Sequence, residues 1–103
     1  MEGIMLINKE YSVPFTPCSV TYQHMQLVDF VQKHQIHLKV LNPHQIHPFY
    51  TIPDALLYDL KRKNQTIDVL LLYSADVFNQ YEYIFPDYWN KLLNHFDEVR
   101  YVM

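Results

Sequence analysis

A chain of 103 residues, half of them hydrophobic and 16% aromatic, is long enough to bury one core without metal or disulfide and too apolar to be disordered. A net charge of −3 argues against general affinity for phosphate backbones, and a single cysteine, Cys18, excludes an internal disulfide and fits a reducing cytoplasm. One glycine, Gly3, excludes the dinucleotide fingerprint and the phosphate loop, no apolar run is long enough to span a bilayer, and no signal-peptide pattern opens the chain.

Ile4 to Ile7 is a short apolar run that predicts a first strand. Asn8 to Cys18 reads as a loop punctuated by Pro14 and Pro17. Ser19 or Thr21 can cap a helix through about His34, on which Val20, Leu27, Val28, Phe30 and Val31 share an apolar arc while Gln26, Asp29 and Lys33 face away. Ile36 to Leu41 predicts a second strand, and Asn42 to Tyr50 a loop carrying Pro43 and Pro48. Thr51 has N-cap chemistry, with Pro53 in the first turn and Asp54 three residues after the cap. That helix runs to about Lys63 and buries Ile52, Leu56, Leu57 and Leu60. Lys61, Arg62 and Lys63 sit where the helix dipole favours cations, and Asn64 takes a left-handed exit.

Ile67 to Tyr73 is apolar without alternation, which suits a strand buried on both faces in the middle of a parallel sheet. Ser74 to Ile84 reads as loop or a short helical turn. Pro86 starts a helix to about Phe96 with a stripe of Phe85, Trp89, Leu92, Leu93 and Phe96, and Glu98 to Val102 is a last strand. Right-handed crossovers then predict one α/β domain over residues 1–103. It is three-layer α/β/α and flavodoxin-like, with a short parallel sheet of about four strands in the order 2-1-3-4.

Tyr22-Gln23-His24-Met25-Gln26-Leu27 and Ile67-Asp68-Val69-Leu70-Leu71-Leu72-Tyr73-Ser74-Ala75-Asp76 carry a family likeness. With the element order, they make most of the chain resemble the N-terminal catalytic domain of the serine recombinases, the resolvase/invertase family. Its third strand also starts with an Asp-Val pair and reaches a second aspartate eight residues on, here Asp68 and Asp76. The resemblance implies a resolvase-like fold. In that family the first strand ends in a Tyr-Ala-Arg-Val-Ser signature whose serine attacks a DNA phosphate while arginines stabilise the developing charge. The matching stretch here is Leu6-Ile7-Asn8-Lys9-Glu10-Tyr11-Ser12, with Lys9 near the arginine, Tyr11 near the serine and Ser12 one place off.

The family's Asp-Arg-Leu-x-Arg becomes Asp76-Val77-Phe78-Asn79-Gln80, and its Arg-Pro becomes Ile52-Pro53. Phosphoryl transfer depends on such cations. Pro86 also interrupts a long family helix, and no stretch matches the family's DNA-binding part. The resemblance thus implies a degenerate, catalytically inactive domain with no cofactor and no direct DNA binding. Lys9, Tyr11, Ser12 and Asp76 are then relics of a strand-end site.

Other constellations stay open to more than one reading. Cys18 lies near a helix N-terminus, but a phosphatase-type loop would want arginine where His24 stands, so an inert thiol is expected. His44-Gln45-Ile46-His47, with His37 nearby, has zinc-compatible spacing. The loop supplies no acidic or cysteine partner, so His44 and His47 read as solvated histidines and as the candidates should a metal bind. His24 and His34, inside the apolar arc, are expected half-buried and hydrogen-bonded. Asp76 suits a functional carboxylate at a strand end and equally a helix cap.

Tyr81, Tyr83, Tyr88 and Trp89 gather around Pro86, as at a protein interface or a core margin. With Trp89 inward, Tyr81, Tyr83 and Tyr88 are the interaction candidates. The expected function is protein binding in the cytoplasm, away from membranes, with the chain itself, a recombinase or a regulator as partner. The rivals are a small enzyme using Asp76, Ser12, Lys9 and Tyr11, and a ligand or metal sensor using the histidine loop.

Overall fold

Two apolar runs supply the middle of the sheet. β1 (Glu2–Leu6) and β4 (Ile67–Leu72) lie side by side and parallel, with Gly3 opposite Val69 and Met5 opposite Leu71. The structure is a computed structural model and describes residues 1–11 and 19–103. Beyond β4 runs β5 (Phe96–Tyr101). The other side of β1 is shared by β2 (His37–Leu38), which pairs with Glu2 and Gly3, and β3 (Phe49–Tyr50), which pairs with Met5 and Leu6. Every pairing is parallel and the main path is β2-β1-β4-β5, the order expected from the sequence with one strand added. The helices are α1 (Val20–Lys33), α2 (Pro53–Lys63), α3 (Asn79–Ile84) and α4 (Pro86–Leu93).

Successive strand residues point to opposite faces, and here both faces are apolar. Met5, Ile7, Val69 and Leu71 pack with Leu27 and Val31 of α1. Ile4, Leu6, Leu70 and Leu72 pack with Leu56, Leu57 and Leu60 of α2 and Trp89 and Leu92 of α4. Val77 and Phe78 join that second cluster and Tyr81 of α3 packs against it. The result is a three-layer α/β domain with α1 on one face, alone among the described residues. Gly3 is required by closeness: a Cβ there would stand 2.9 Å from Ile36 Cγ2 and 3.0 Å from Val69 Cγ1.

Several local expectations are met. Ser19 caps α1, its Oγ accepting from the Tyr22 amide, and Asn64 ends α2 with φ of 50°. Others are corrected. The loop from Asn42 to Tyr50 contains β3, because the end of β1 needs a partner: the Ile7 amide donates to the Tyr50 carbonyl at 2.8 Å. Two residues are too few to show a strand period. Ile52, not Thr51, caps α2 and is exposed rather than buried, since a residue before proline is driven to extended backbone and Pro53 fixes the first helical φ. The stretch from Ser74 to Ile84, open between loop and a short helical turn, ends in the short helix α3. α4 stops at Leu93, and Phe96 begins β5 instead of closing the helix. Its burial beside Leu92 satisfies a helical spacing and a strand start alike, so periodicity could not separate the two. Phe85, expected in the α4 stripe, is largely exposed.

Candidate functional site

The carboxyl end of the sheet is held by an amide exchange. Gln23 is fully buried in α1, its Nε2 donates to the Asn8 carbonyl at 2.8 Å, and its Oε1 accepts from the Asn8 amide at 3.3 Å. Asn8 in turn donates from Nδ2 to the Val77 carbonyl at 2.8 Å and accepts at Oδ1 from the Glu10 amide. These bonds tie the end of β1 to α1 and to the loop after β4. Both residues lie in the stretches that carry the family likeness, but no motif marks them as partners. The available signal was a glutamine in register with Leu27 and Val31, a polar group at a core position of an amphipathic helix.

Asp76 stands in that same loop. Its Oδ1 accepts from Ser74 Oγ at 2.5 Å and its Oδ2 from the Tyr11 hydroxyl at 2.9 Å. The two donors, Ser74 first, hold its carboxyl below the usual carboxylate range. It does not cap α3, whose N-cap position is Phe78 and has no side-chain cap bond. So the structure joins Tyr11 and Asp76, two of the four strand-end candidates. Lys9 stands nearby on the surface, and Ser12, like Cys18, lies outside the described residues. Asp68, the other aspartate of the family likeness, sits at the opposite end of β4, where its Oδ2 accepts from the Glu2 amide at 2.7 Å.

Beside this end of the sheet an open cleft of about 340 Å³ runs between the segment after β1, the start of α2, and α3. Lys9, Glu10, Ile52, Asp54, Tyr81 and Phe85 help to line it, and Asp76 does not. Ile52 and Gln80, two of the positions where the resemblance would set cations, both face this cleft, and the third, Val77, is buried in the core. The chain's two arginines are elsewhere, Arg62 in the last turn of α2 and Arg100 on β5. Lys9 is thus the sole cation among the described lining residues.

An aromatic ladder leads from the core to the surface next to the cleft. Trp89 is buried and stacks on Phe78 at 5.7 Å; Tyr81 meets Trp89 at 6.0 Å and Phe85 at 5.3 Å; Phe85 meets Tyr88 at 6.3 Å. Tyr81 is half-buried and its hydroxyl donates to Asp54 Oδ1, bridging α3 to the first turn of α2. Burial, and after it Asp54, pushes its phenol far up from the ordinary range. Tyr81 is therefore a structural strut, while Tyr83, 88% exposed, and Tyr88, 49% exposed, are open. Ile52, Ile84, Phe85 and, across a shallow groove from Tyr88, Tyr58 of α2 are exposed as well.

The histidines meet expectation in part: His24 is half-buried, and His44 and His47 are exposed. His34 is exposed against Phe30, and the His24 Nε2 is buried with no hydrogen-bond partner among the described residues. The Phe49 ring of β3 lies 4.8 Å from that of His24. His47 stacks on Phe49 at 5.0 Å and His44 is exposed. Among the described residues no group of three or more His, Cys, Asp or Glu is placed to hold a metal ion, and no helix is long and apolar enough to cross a membrane. No family model, curated protein or solved structure matches this chain.

Proposed function

We propose that this chain is a non-catalytic, resolvase-like domain that acts in the cytoplasm by binding another protein. The observation that carries the reading is the apolar surface on the three-helix layer: Ile52, Ile84 and Phe85 line the cleft, Phe85 meets Tyr88, and Tyr88 shares a groove with Tyr58, while Tyr83 is exposed on the same helix as Ile84. Scattered single apolar residues are normal on a protein surface, but a contiguous patch rich in aromatics and rimmed by charge is the composition of an interface. The rim is present in Lys9, Glu10, Asp54 and Lys61, and Lys91 lies 5.5 Å above the Tyr88 ring.

The strand-end chemistry supports a non-catalytic role. A carboxylate held below its usual range is a poor general base near neutrality. Asp76 is engaged by two neutral hydroxyls and does not face the cleft. Phosphoryl transfer would need several convergent cations, and Lys9 alone lines the cleft.

The test is affinity capture from the native cell with the wild-type chain and with the double variant Tyr83→Ser/Tyr88→Ser, followed by measurement of the purified pair. A partner that binds the wild type and loses the double variant supports the reading. A partner indifferent to both substitutions, with the variant folded, overturns it.

A further inference from the structure

β5 is the outer strand of the sheet and pairs only with β4 among the described residues. Its residues from Asp97 to Tyr101 are half-buried or exposed. The opposite edge is broken into the two-residue strands β2 and β3, so β5 offers the longest open backbone edge in the molecule's described part. Such an edge is a template for another strand unless something prevents it.

Which groups it offers follows from the ladder. The Ile67 amide donates to the His95 carbonyl at 2.7 Å, and the Met103 amide to the Tyr73 carbonyl at 2.9 Å. In a parallel ladder this turns the peptide groups of Asp97, Val99 and Tyr101 toward β4 and those of Glu98 and Arg100 outward. Glu98 and Arg100 also share a face of the sheet, the one on which α1 packs, because they sit opposite Val69 and Leu71. In the single chain they pair with each other at 3.1 Å, both partly exposed.

We infer that the β5 edge pairs antiparallel with the β5 edge of a second copy of this chain, about a two-fold axis at Val99. Backbone parity and charge select the same register. Residues whose peptide groups point outward must face each other in the hydrogen-bonded pairs. A two-fold axis at Glu98 or at Arg100 satisfies that parity but sets like charges opposite each other, which is unfavourable. An axis at Val99 sets Glu98 opposite the partner's Arg100, and symmetry makes the exchange twice. The same axis places Val99 against the partner's Val99 on the other face and Tyr101 beside the partner's Asp97. A charged edge of one sign would repel its copy. This one is self-complementary.

Edge pairing alone is at the small end of interface sizes, so the dimer is concentration-dependent. The test is sedimentation equilibrium of the full chain over a wide concentration range, with circular dichroism to verify folding. Arg100→Glu and Glu98→Arg should each weaken the dimer by about tenfold or more, since both symmetry-related pairs change sign. The charge-swapped double variant Glu98→Arg/Arg100→Glu should restore it to within about threefold, because the swap again sets opposite charges face to face. Tyr83→Ser/Tyr88→Ser should leave the dimer unchanged, which separates this edge from the aromatic surface proposed above. A chain monomeric at every concentration, single reversals without effect, or a double swap that fails to recover association would overturn the inference. A dimer lost in the tyrosine variant alone would do the same.

Discussion

The end of the sheet and the outer faces of α3 and α4 are neighbours, yet they treat their polar and apolar groups in opposite ways. At the strand ends Asn8, Gln23, Ser74, Asp76 and Tyr11 bond one another or nearby backbone. On α3 and α4, Tyr83, Ile84 and Tyr88 face solvent. A buried or half-buried hydrogen bond holds the fold because leaving its groups unpaired is expensive, while exposed aromatic surface contributes little until something covers it. In this chain the region where an α/β domain usually keeps its chemistry is engaged in holding itself together, and the unsatisfied surface lies beside it.

The largest effects should fall on the strand-end side. Leu71→Ala should cost about 2–5 kcal/mol, the scale for a buried leucine that leaves a cavity. Gln23→Ala should approach it, at about 2–4 kcal/mol, because the Asn8 amide and carbonyl lose their partner and a void opens. Urea denaturation measures both. A cost under about 1 kcal/mol for Gln23→Ala would mean that the amide exchange is not structural.

The surface side should show the reverse. Tyr83→Ser/Tyr88→Ser should change stability by no more than about 0.5 kcal/mol, as surface substitutions do, while removing a partner complex. Thermal unfolding and a binding isotherm on the same samples give the comparison. A large fall in melting temperature would show that these rings belong to the fold.

Titration separates the regions further. The phenols of Tyr50 and Tyr81 are raised, by burial first and then by Asp59 and Asp54 respectively. A group with a raised folded pKa gives stability that is complete below its unfolded value, near pH 10 here, and is lost as pH rises toward the folded value. Their contribution to the unfolding free energy should hold steady to about pH 10 and then fall, and Tyr50→Phe/Tyr81→Phe should flatten that alkaline fall. An unchanged alkaline limb would refute the assignment.

Asp76 has the opposite sign. Its folded pKa is lowered, so its contribution is present above the unfolded carboxylate value and lost as pH falls through the folded one. Because it is exposed, Asp76→Asn should shift the acid limb only slightly. A pronounced loss of stability at neutral pH in that variant would point to a larger role.

The smallest expected effect is none. The protein should leave supercoiled plasmid and nicked duplexes uncut and form no covalent DNA adduct. An adduct that disappears with Ser12→Ala or Tyr11→Phe would reveal a divergent active site instead of an inactive one.

Much of the frame was legible in the chain. The apolar run at Ile67–Tyr73, Ser19 as a cap, Asn64 as an exit and the strand order all follow from local pattern and the handedness of crossovers, because each depends on neighbours in sequence. β3 was hidden because two residues carry no period, and its Phe49 then decided the surroundings of His24.

Asp76 was placed correctly at a strand end by sequence, but its partners were not. Tyr11 lies 65 positions away from it, Asn8 reaches 69 positions to Val77, and Tyr81 reaches 27 to Asp54. The sequence by itself determined most of the elements, their order and the acidic, arginine-poor balance. The tertiary structure alone decided which polar groups consume one another, which aromatics stay uncovered and that Glu98 and Arg100 share an open edge. Local conformational preference is written residue by residue, whereas the pairing of groups distant in sequence exists only once the sheet has brought them together.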